Sequence, residues 1–127
     1  MRRVVVGGVV KTSYRTIPAY VTRDGSEIRE LMHPAVHGNA RQSLAEAIIQ
    51  PGQKTQLHRH PMSEEFYHVT QGTGIMRLGE ISLLIEVGDT VHIAPGVAHS
   101  VQATSESPLH ILCCCSPAYS HEDTEML

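Results

Sequence analysis

From residue 43 onward the sequence consists of short runs of strand-forming residues, and each run ends in residues that favour turns. The predicted strands are 44–49, 54–60, 65–70, 75–78, 81–87, 90–93, 98–104 and 109–115. About eight short strands at such spacing predict an all-β protein, either an antiparallel sandwich or a barrel. A jelly-roll β-barrel is favoured because it leaves few exposed sheet edges.

The 127 residues are enough for one domain with a hydrophobic core. We predict an N-terminal arm with strands at 1–42, a barrel core at 43–116 and a polar tail at 117–127. Within the arm, the valine-rich run 4–10 favours a strand, and 26–31 favours one helical turn that ends at His33-Pro34. The alternation in 81–87 places four apolar residues on one face: Ile81, Leu83, Ile85 and Val87.

Charge and the N-terminal sequence limit the expected partners and compartment. The formal net charge is −3, and no run of Lys and Arg forms a basic stripe, so no nucleic-acid surface is expected. The apolar run near the N-terminus has only seven residues and ends at Lys11, which is not typical of a secretion signal. Nothing reaches the length of a transmembrane helix. We therefore expect a cytoplasmic protein with no membrane partner.

Four side chains form the pattern that indicates chemistry. His58 and His60 are two residues apart in a predicted strand, so both imidazoles share one face and Arg59 faces away. Glu65 begins the next strand after a short turn, and a barrel could direct His99 to the same point. Three imidazoles and a carboxylate suit one divalent transition metal, namely Fe, Mn, Ni, Co, Cu or Zn. Glu64 is the alternative carboxylate, but Glu65 shares a face with Tyr67.

These residues also resemble the two conserved motifs of the cupin superfamily. The motifs are Gly52-x5-His58-x-His60-x4-Glu65-x6-Gly72 and Gly88-Asp89-x5-Pro95-Gly96-x2-His99. The resemblance covers about residues 43–116. It implies a small single-domain cupin barrel in which His58, His60, Glu65 and His99 hold the metal. It further implies a homodimer, with the run 4–10 at or near the interface.

Other residues are candidates for the pocket around the metal. Gln56 is in phase with His58 and Tyr67 with Glu65, so both are expected to face inward. Tyr67 is the candidate catalytic residue, as a proton donor or as a group that orients a substrate oxygen; a barrel tyrosine with an ordinary hydrogen bond is an equal alternative. Arg77 is a pocket candidate that would suit a carboxylate substrate if it faces inward, although an exposed arginine is the favoured interpretation.

Three consecutive cysteines, 113–115, do not form a disulfide framework or the paired spacing of a zinc site. Period-two geometry places Cys113 and Cys115 on one face of a strand and Cys114 on the other. Small apolar residues that fill the core are the favoured interpretation. Redox sensing is the alternative.

Three functions agree with this pattern. The first is a metal-dependent enzyme of oxygenase (oxidoreductase) or isomerase type that acts on a small organic molecule. The second is a non-catalytic binding or sensor module for a small molecule. The third is a purely structural metal, which is disfavoured because structural zinc sites are usually rich in cysteine and closed.

Overall fold

A computed structural model describes residues 4–127 of the chain. The strands in this range are β1 (Val4–Val6), β2 (Val9–Lys11), β3 (Tyr20–Val21), β4 (Glu27–Met32), β5 (Ser43–Ile49), β6 (His58–Arg59), β7 (Glu64–Gln71), β8 (Thr73–Leu78), β9 (Ile81–Glu86), β10 (Thr90–Ile93), β11 (His99–Ala103), β12 (Leu109–Ser116) and β13 (Glu125–Met126). A 3-10 turn lies at Tyr14–Thr16, and one short helix, α1, at Pro34–His37.

The strands form two main antiparallel sheets, as the all-β prediction requires. The larger sheet has the order β10-β7-β12-β5-β4-β3, and the smaller has the order β13-β6-β11-β8-β9. Strands β1 and β2 pair separately with each other. The arm thus adds two strands to the larger sheet, and the tail adds one strand to the smaller. The predicted all-β fold is confirmed.

Inward-facing aliphatic side chains from both sheets form the hydrophobic core. The residues that are no more than 2% exposed include Val69, Met76, Ile85, Ile93, Val101, Leu109 and Ile111. Burial of such side chains is the main favourable contribution to the folding free energy. Only the two central residues of the apolar face predicted for β9 are packed against the core. Ile85 is buried and Leu83 packs against the core, whereas Ile81 and Val87 are more than 60% exposed.

The predicted strand at 54–60 is largely wrong. Only His58–Arg59 is a strand, Lys54 makes an isolated bridge with Gln102, and residues 55–57 are irregular. The run 4–10 is also not one strand. It is a hairpin that turns at Gly7 and Gly8, whose φ angles of 57° and 80° are in the region that favours glycine.

The helical turn predicted for 26–31 is wrong, because that segment is strand β4. Pairing with β5 supplies its backbone hydrogen bonds and overrides the helical propensity of its Glu, Arg and Leu residues. The helix begins after this strand, at Pro34. Proline is favoured at the first position of a helix because the N–H that it lacks would have no partner within the helix. The His33 side chain caps it by accepting a hydrogen bond from the backbone N–H of Ala35.

No helix within residues 4–127 has the length and apolar character needed to cross a bilayer.

Candidate metal centre

Three histidines meet inside the smaller sheet. His58 lies in β6, His60 directly follows that strand, and His99 begins β11, where it is paired with His58. One ring nitrogen of each residue lies within 4.8 Å of those of the other two. His58 and His60 are 4% exposed and His99 is 0% exposed. Three imidazoles packed this closely and away from water indicate a metal site.

Backbone carbonyl groups orient all three rings in the same way. The Nδ1 atoms lie 2.8 Å from Gln56 O in His58, 3.0 Å from Val97 O in His99 and 3.2 Å from Asp123 O in His60. Because a carbonyl oxygen can only accept, each Nδ1 carries the proton and Nε2 is left to bind a cation. Such outer hydrogen bonds are typical of histidines that bind metal ions.

Glu65 supplies a carboxylate beside two of the rings. Its Oε1 lies 3.4 Å from the Nε2 atoms of both His60 and His99. Glu65 Oε1 and His99 Nε2 are buried and have no well-oriented hydrogen-bond partner among residues 4–127. Buried polar atoms are rarely left in this state, so a cation that binds both would satisfy them. Glu64 is exposed on the other face of β7, which leaves Glu65 as the carboxylate at this site.

Close approach of these groups shifts their pKa values in opposite directions. Burial works to raise the pKa of Glu65, but its contacts with His60 and His99 outweigh burial and lower the pKa to about 2. Burial works to lower the pKa of His60, but the interactions with Glu65 outweigh it and raise that pKa. Burial and the neighbouring His99 lower the pKa of His58. The carboxylate is therefore ionised at neutral pH.

Cys115 contacts the centre from strand β12. Its thiol donates a hydrogen bond to Glu65 Oε2 at 3.2 Å. Cys113 and Cys115 are buried, as the strand pattern predicts, and Cys114 is partly exposed. Burial raises the pKa of both buried thiols. Because the thiolate is the reactive form, this environment favours packing over redox sensing.

Changing Cys115 to alanine is expected to weaken metal binding about tenfold, because Glu65 loses a group that orients it. Cys115→Ser keeps an O–H donor and should restore most of the affinity. Titration calorimetry with a divalent metal measures both variants. Cys113→Ala, which removes the other buried thiol without touching Glu65, is the matched control. Equal affinities for the Ala variant and the unmodified protein would contradict the orienting role.

A small cavity opens beside the imidazole cluster. Its volume is about 50 Å³, and its lining includes His58, His60, Glu65 and Tyr67. Tyr67 is 6% exposed, and its ring centroid is 5.8 Å from that of His99. Burial and the nearby Glu65 raise the pKa of Tyr67 well above its usual value. The Tyr67 hydroxyl beside the metal centre is therefore protonated at neutral pH. The catalytic role of Tyr67 stays a prediction.

The other two predicted pocket residues do not reach this cavity. Gln56 is exposed because residues 55–57 are irregular, so the period-two rule that placed it beside His58 does not apply there. Its backbone contacts the centre instead, through the carbonyl that accepts from His58 and the N–H that donates to Asp24. Arg77 is exposed on the outer face of β8, in phase with Ile75, and its Nε donates to Gly79 O at 3.3 Å. The assignment of Gln56 and Arg77 to the pocket is therefore wrong.

Asp24, in the N-terminal arm, lies at the centre, although the sequence pattern did not single it out. Its Oδ2 is 3.8 Å from His58 Nε2, and its side chain is 13% exposed and lines the cavity. The backbone N–H and the hydroxyl of Ser26 donate to its Oδ1 at 2.9 and 2.6 Å. Its backbone carbonyl accepts from Gln56 N at 2.8 Å. The turn residues Asp24-Gly25 were the only local signal.

The C-terminal tail also reaches the centre. Besides the carbonyl of Asp123, the hydroxyl of Thr124 lies 3.2 Å from His60 Nδ1. The carboxylate of Asp123 accepts from the backbone N–H groups of Met62 and Ser63, at 2.8 and 3.0 Å. The segment that reads as a polar tail thus holds the loop that follows His60. No spacing rule links residues so far apart in sequence.

Two sequence relatives cover most of the chain. The uncharacterized protein MJ1618 of Methanocaldococcus jannaschii is 48% identical over 94% of this chain and 95% of its own length. A protein of Thermotoga maritima named oxalate-binding protein is 28% identical over 83% of this chain and 91% of its own length. The sequence identity to MJ1618, over nearly the full length of both chains, is high enough to place the two proteins in one family.

Solved structures show the same fold at low sequence identity. Lactobacillus farciminis oxalate decarboxylase has a TM-score of 0.77 and 23% identity, over 89% of this chain and 34% of that chain. The Streptomyces nucleoside dehydratase Pac13 has a TM-score of 0.76 and 13% identity, over 92% of this chain and 89% of that chain. Residues 45–115 match the Cupin_2 family, which is described as the cupin domain. The chain belongs to the cupin family.

Proposed function

We propose that this protein is a metal-dependent enzyme of isomerase or oxygenase type that acts on a small, oxygen-rich organic molecule. The observation that carries this proposal is the convergence of three imidazole nitrogens and Glu65 Oε1 beside a cavity. We assign His58, His60, Glu65 and His99 as ligands of one divalent metal ion. Bound there, the metal would supply Lewis acidity that polarises a substrate oxygen.

The arm residue Asp24 favours proton-transfer chemistry, and hence the isomerase type. Its Oδ1 is fixed by Ser26, whereas its Oδ2 faces His58 and the cavity. A carboxylate in that position can take a proton from a substrate carbon or hydroxyl group and return it. Tyr67, which also lines the cavity, can donate a hydrogen bond to a substrate oxygen.

Asp24→Asn should lower the rate about 100-fold or more, because one acid–base group typically contributes that much. The variant keeps an oxygen for Ser26, so its metal content should not change. The assay incubates small 2-hydroxy and 2-keto acids with metal-loaded protein in D₂O and follows deuterium incorporation by NMR, with oxygen uptake measured in parallel. Glu64→Gln, an exposed neighbour of the site, is the control.

The outcome of these assays separates the classes. Deuterium incorporation that Asp24→Asn abolishes supports the isomerase type. Oxygen uptake that is insensitive to Asp24 would support the oxygenase type instead. Ligands that bind and are recovered unchanged, without exchange, would contradict catalysis.

The second candidate is a non-catalytic binding module for a small carboxylate. The small volume of the cavity favours it, since about 50 Å³ holds only a few water-sized groups. The Thermotoga maritima relative named oxalate-binding protein also favours it. Oxalate bound at one equivalent per chain, with no loss of oxalate over many hours, would support this candidate over the enzyme.

We also propose that the protein is a homodimer and that the hairpin of β1 and β2 lies at or near its interface. The hairpin pairs with neither main sheet, and Val9 is 63% exposed. Sedimentation equilibrium should give twice the chain mass of 13.9 kDa. Val9→Glu should shift the equilibrium to the monomer, since a charge at an apolar contact is unfavourable. A monomeric unmodified protein would contradict the proposal.

A further inference from the structure

Glu30 is a second buried carboxyl group in the wall of the same cavity. It lies in β4, is 6% exposed, and its Oε1 is 3.3 Å from the Tyr20 hydroxyl, which donates to it. Its Oε2 is buried and has no hydrogen-bond partner among the residues that the structure describes. A buried carboxyl oxygen in this state is costly. Such an atom in a cavity wall indicates a ligand group that satisfies it.

The sheet register places Glu30 away from the metal centre. Glu30 is opposite Ala45, Ala45 is opposite Cys113, and Cys113 is opposite Tyr67, so the four form one row across adjacent strands. At about 4.8 Å between strands, three steps separate the backbones of Glu30 and Tyr67 by roughly 14 Å, and both side chains line the cavity within that span. The two central residues have small side chains. This row therefore forms a wall of the cavity with Glu30 at one end and Tyr67, whose ring is 5.8 Å from that of His99, at the other.

We propose that Glu30 is the distal subsite of the cavity and forms a hydrogen bond with a hydroxyl group of a small 2-hydroxy acid, whose carboxylate end faces the three histidines. This inference rests on the proposed metal site and specifies the class of ligand. A cavity of about 50 Å³ suits a small acid of this kind.

The chemistry of Glu30 favours a hydroxyl group over a charged one. Burial raises the pKa of Glu30, against the smaller opposing effect of His33. An ammonium group would need the ionised carboxylate, and a carboxylate group would need the neutral acid. A hydroxyl group both donates and accepts, so it can bond to either form. Tyr20, which donates to Glu30, and Thr22 also line the cavity.

Matched ligand pairs test this assignment. Glycerate differs from lactate, and threonate from 2-hydroxybutyrate, only by distal hydroxyl groups. Each acid, as both enantiomers, is titrated calorimetrically into protein that carries one equivalent of divalent metal. In at least one pair the more hydroxylated acid should bind tenfold or more tightly, because it satisfies a buried polar atom. Lactate and 2-hydroxybutyrate measure the contribution of the chelating end alone.

Variants then locate the effect. Glu30→Leu should make the affinities within each pair equal to within about twofold, whereas Glu30→Gln keeps an oxygen and should retain most of the preference. Glu46→Gln is the matched control, because Glu46 is equally buried in β5 but contacts Tyr14 and does not line the cavity. Melting curves establish that each variant is folded.

Several results would overturn the assignment: no preference within either pair, no binding of any of the four acids, or a preference that survives Glu30→Leu. A protein that takes up no metal at all refutes the proposed function, and the inference with it. A protein that takes up metal but shows no hydroxyl preference refutes the distal subsite alone.

Discussion

His99→Ala is expected to lower the affinity for a divalent metal by more than about 100-fold. Even the loss of a group that only orients a metal ligand costs 10- to 100-fold, and His99 is proposed to bind the ion itself. Its Nε2 is completely buried beside Glu65 Oε1. Titration calorimetry, with metal analysis of protein purified without an affinity tag, measures the change. Turnover should disappear together with the metal.

Two further variants separate this effect from a loss of folding. His99→Gln keeps most of the side-chain volume, and it should also lose the metal while its melting curve stays close to that of metal-free protein. His92→Ala removes an exposed histidine whose Nε2 is 3.5 Å from Glu64, outside the cavity. That variant should bind metal normally. Full metal occupancy in both His99 variants would end the proposed ligand set.

Metal loading is expected to raise the melting temperature by roughly 10–20 °C. At a free metal concentration of about 1,000 times Kd, binding to the folded state alone adds about 4 kcal/mol to the free energy of unfolding. For a chain of this size each kcal/mol corresponds to a shift of a few degrees. Calorimetric scans with the metal and with a chelator measure the difference.

The chelated protein should nevertheless remain folded at 25 °C. The hydrophobic core consists of residues such as Val69, Met76 and Leu109 and contains none of the three histidines. Its burial does not depend on the ion. Unfolding on chelation would instead support a structural metal, and identical melting curves in both conditions would contradict metal binding.

The thermal shift should decrease as the pH falls from about 7.5 to about 5.5. Because the pKa of His60 is raised, its metal-free ring retains a proton that the metal must displace, and acid strengthens this competition. In metal-free protein the raised pKa stabilises the fold below the unfolded value of about 6.5. That contribution is lost as the pH rises through the folded pKa. A shift independent of pH would contradict displacement of this proton.

The contribution of the Glu65 carboxylate to stability has the opposite pH dependence. The pKa of Glu65 is lowered to about 2, so its contribution to stability is complete above the unfolded pKa of about 4.3. That contribution is lost as the pH falls towards about 2. Between about pH 5 and 8, Glu65 therefore stays ionised, and the pH dependence of metal binding in this range comes from the imidazoles.

Local patterns were sufficient for most of the barrel. The predicted strands between 65 and 115 agree with β7–β12 to within two residues at either end. Each was a run of strand-forming residues bounded by turn residues, and its backbone is regular enough for the period-two rule to hold. The same rule correctly placed Tyr67 and Val69 inward on β7, and Cys113 and Cys115 inward on β12.

The same rule failed where the backbone is irregular or where pairing overrides propensity. Gln56 and His58 are two residues apart, and in a regular strand their side chains would share one face. Residues 55–57 are irregular, so this rule does not apply to Gln56. Residues 26–31 have a helical composition, yet the free edge of β5 makes them a strand. Local sequence does not record which sheet edge is available.

The sequence alone predicted the all-β fold and singled out His58, His60, Glu65 and His99, because the strand runs and the spacing within each of the two motifs are local properties. Only the tertiary structure decided what surrounds that set. The arm brings Asp24 and Glu30 to the cavity, and the tail brings Asp123 and Thr124 to His60. The contacts of the tail with His60 span 63 and 64 positions of the chain. They depend on how the sheets close on each other, which no short-range periodicity specifies.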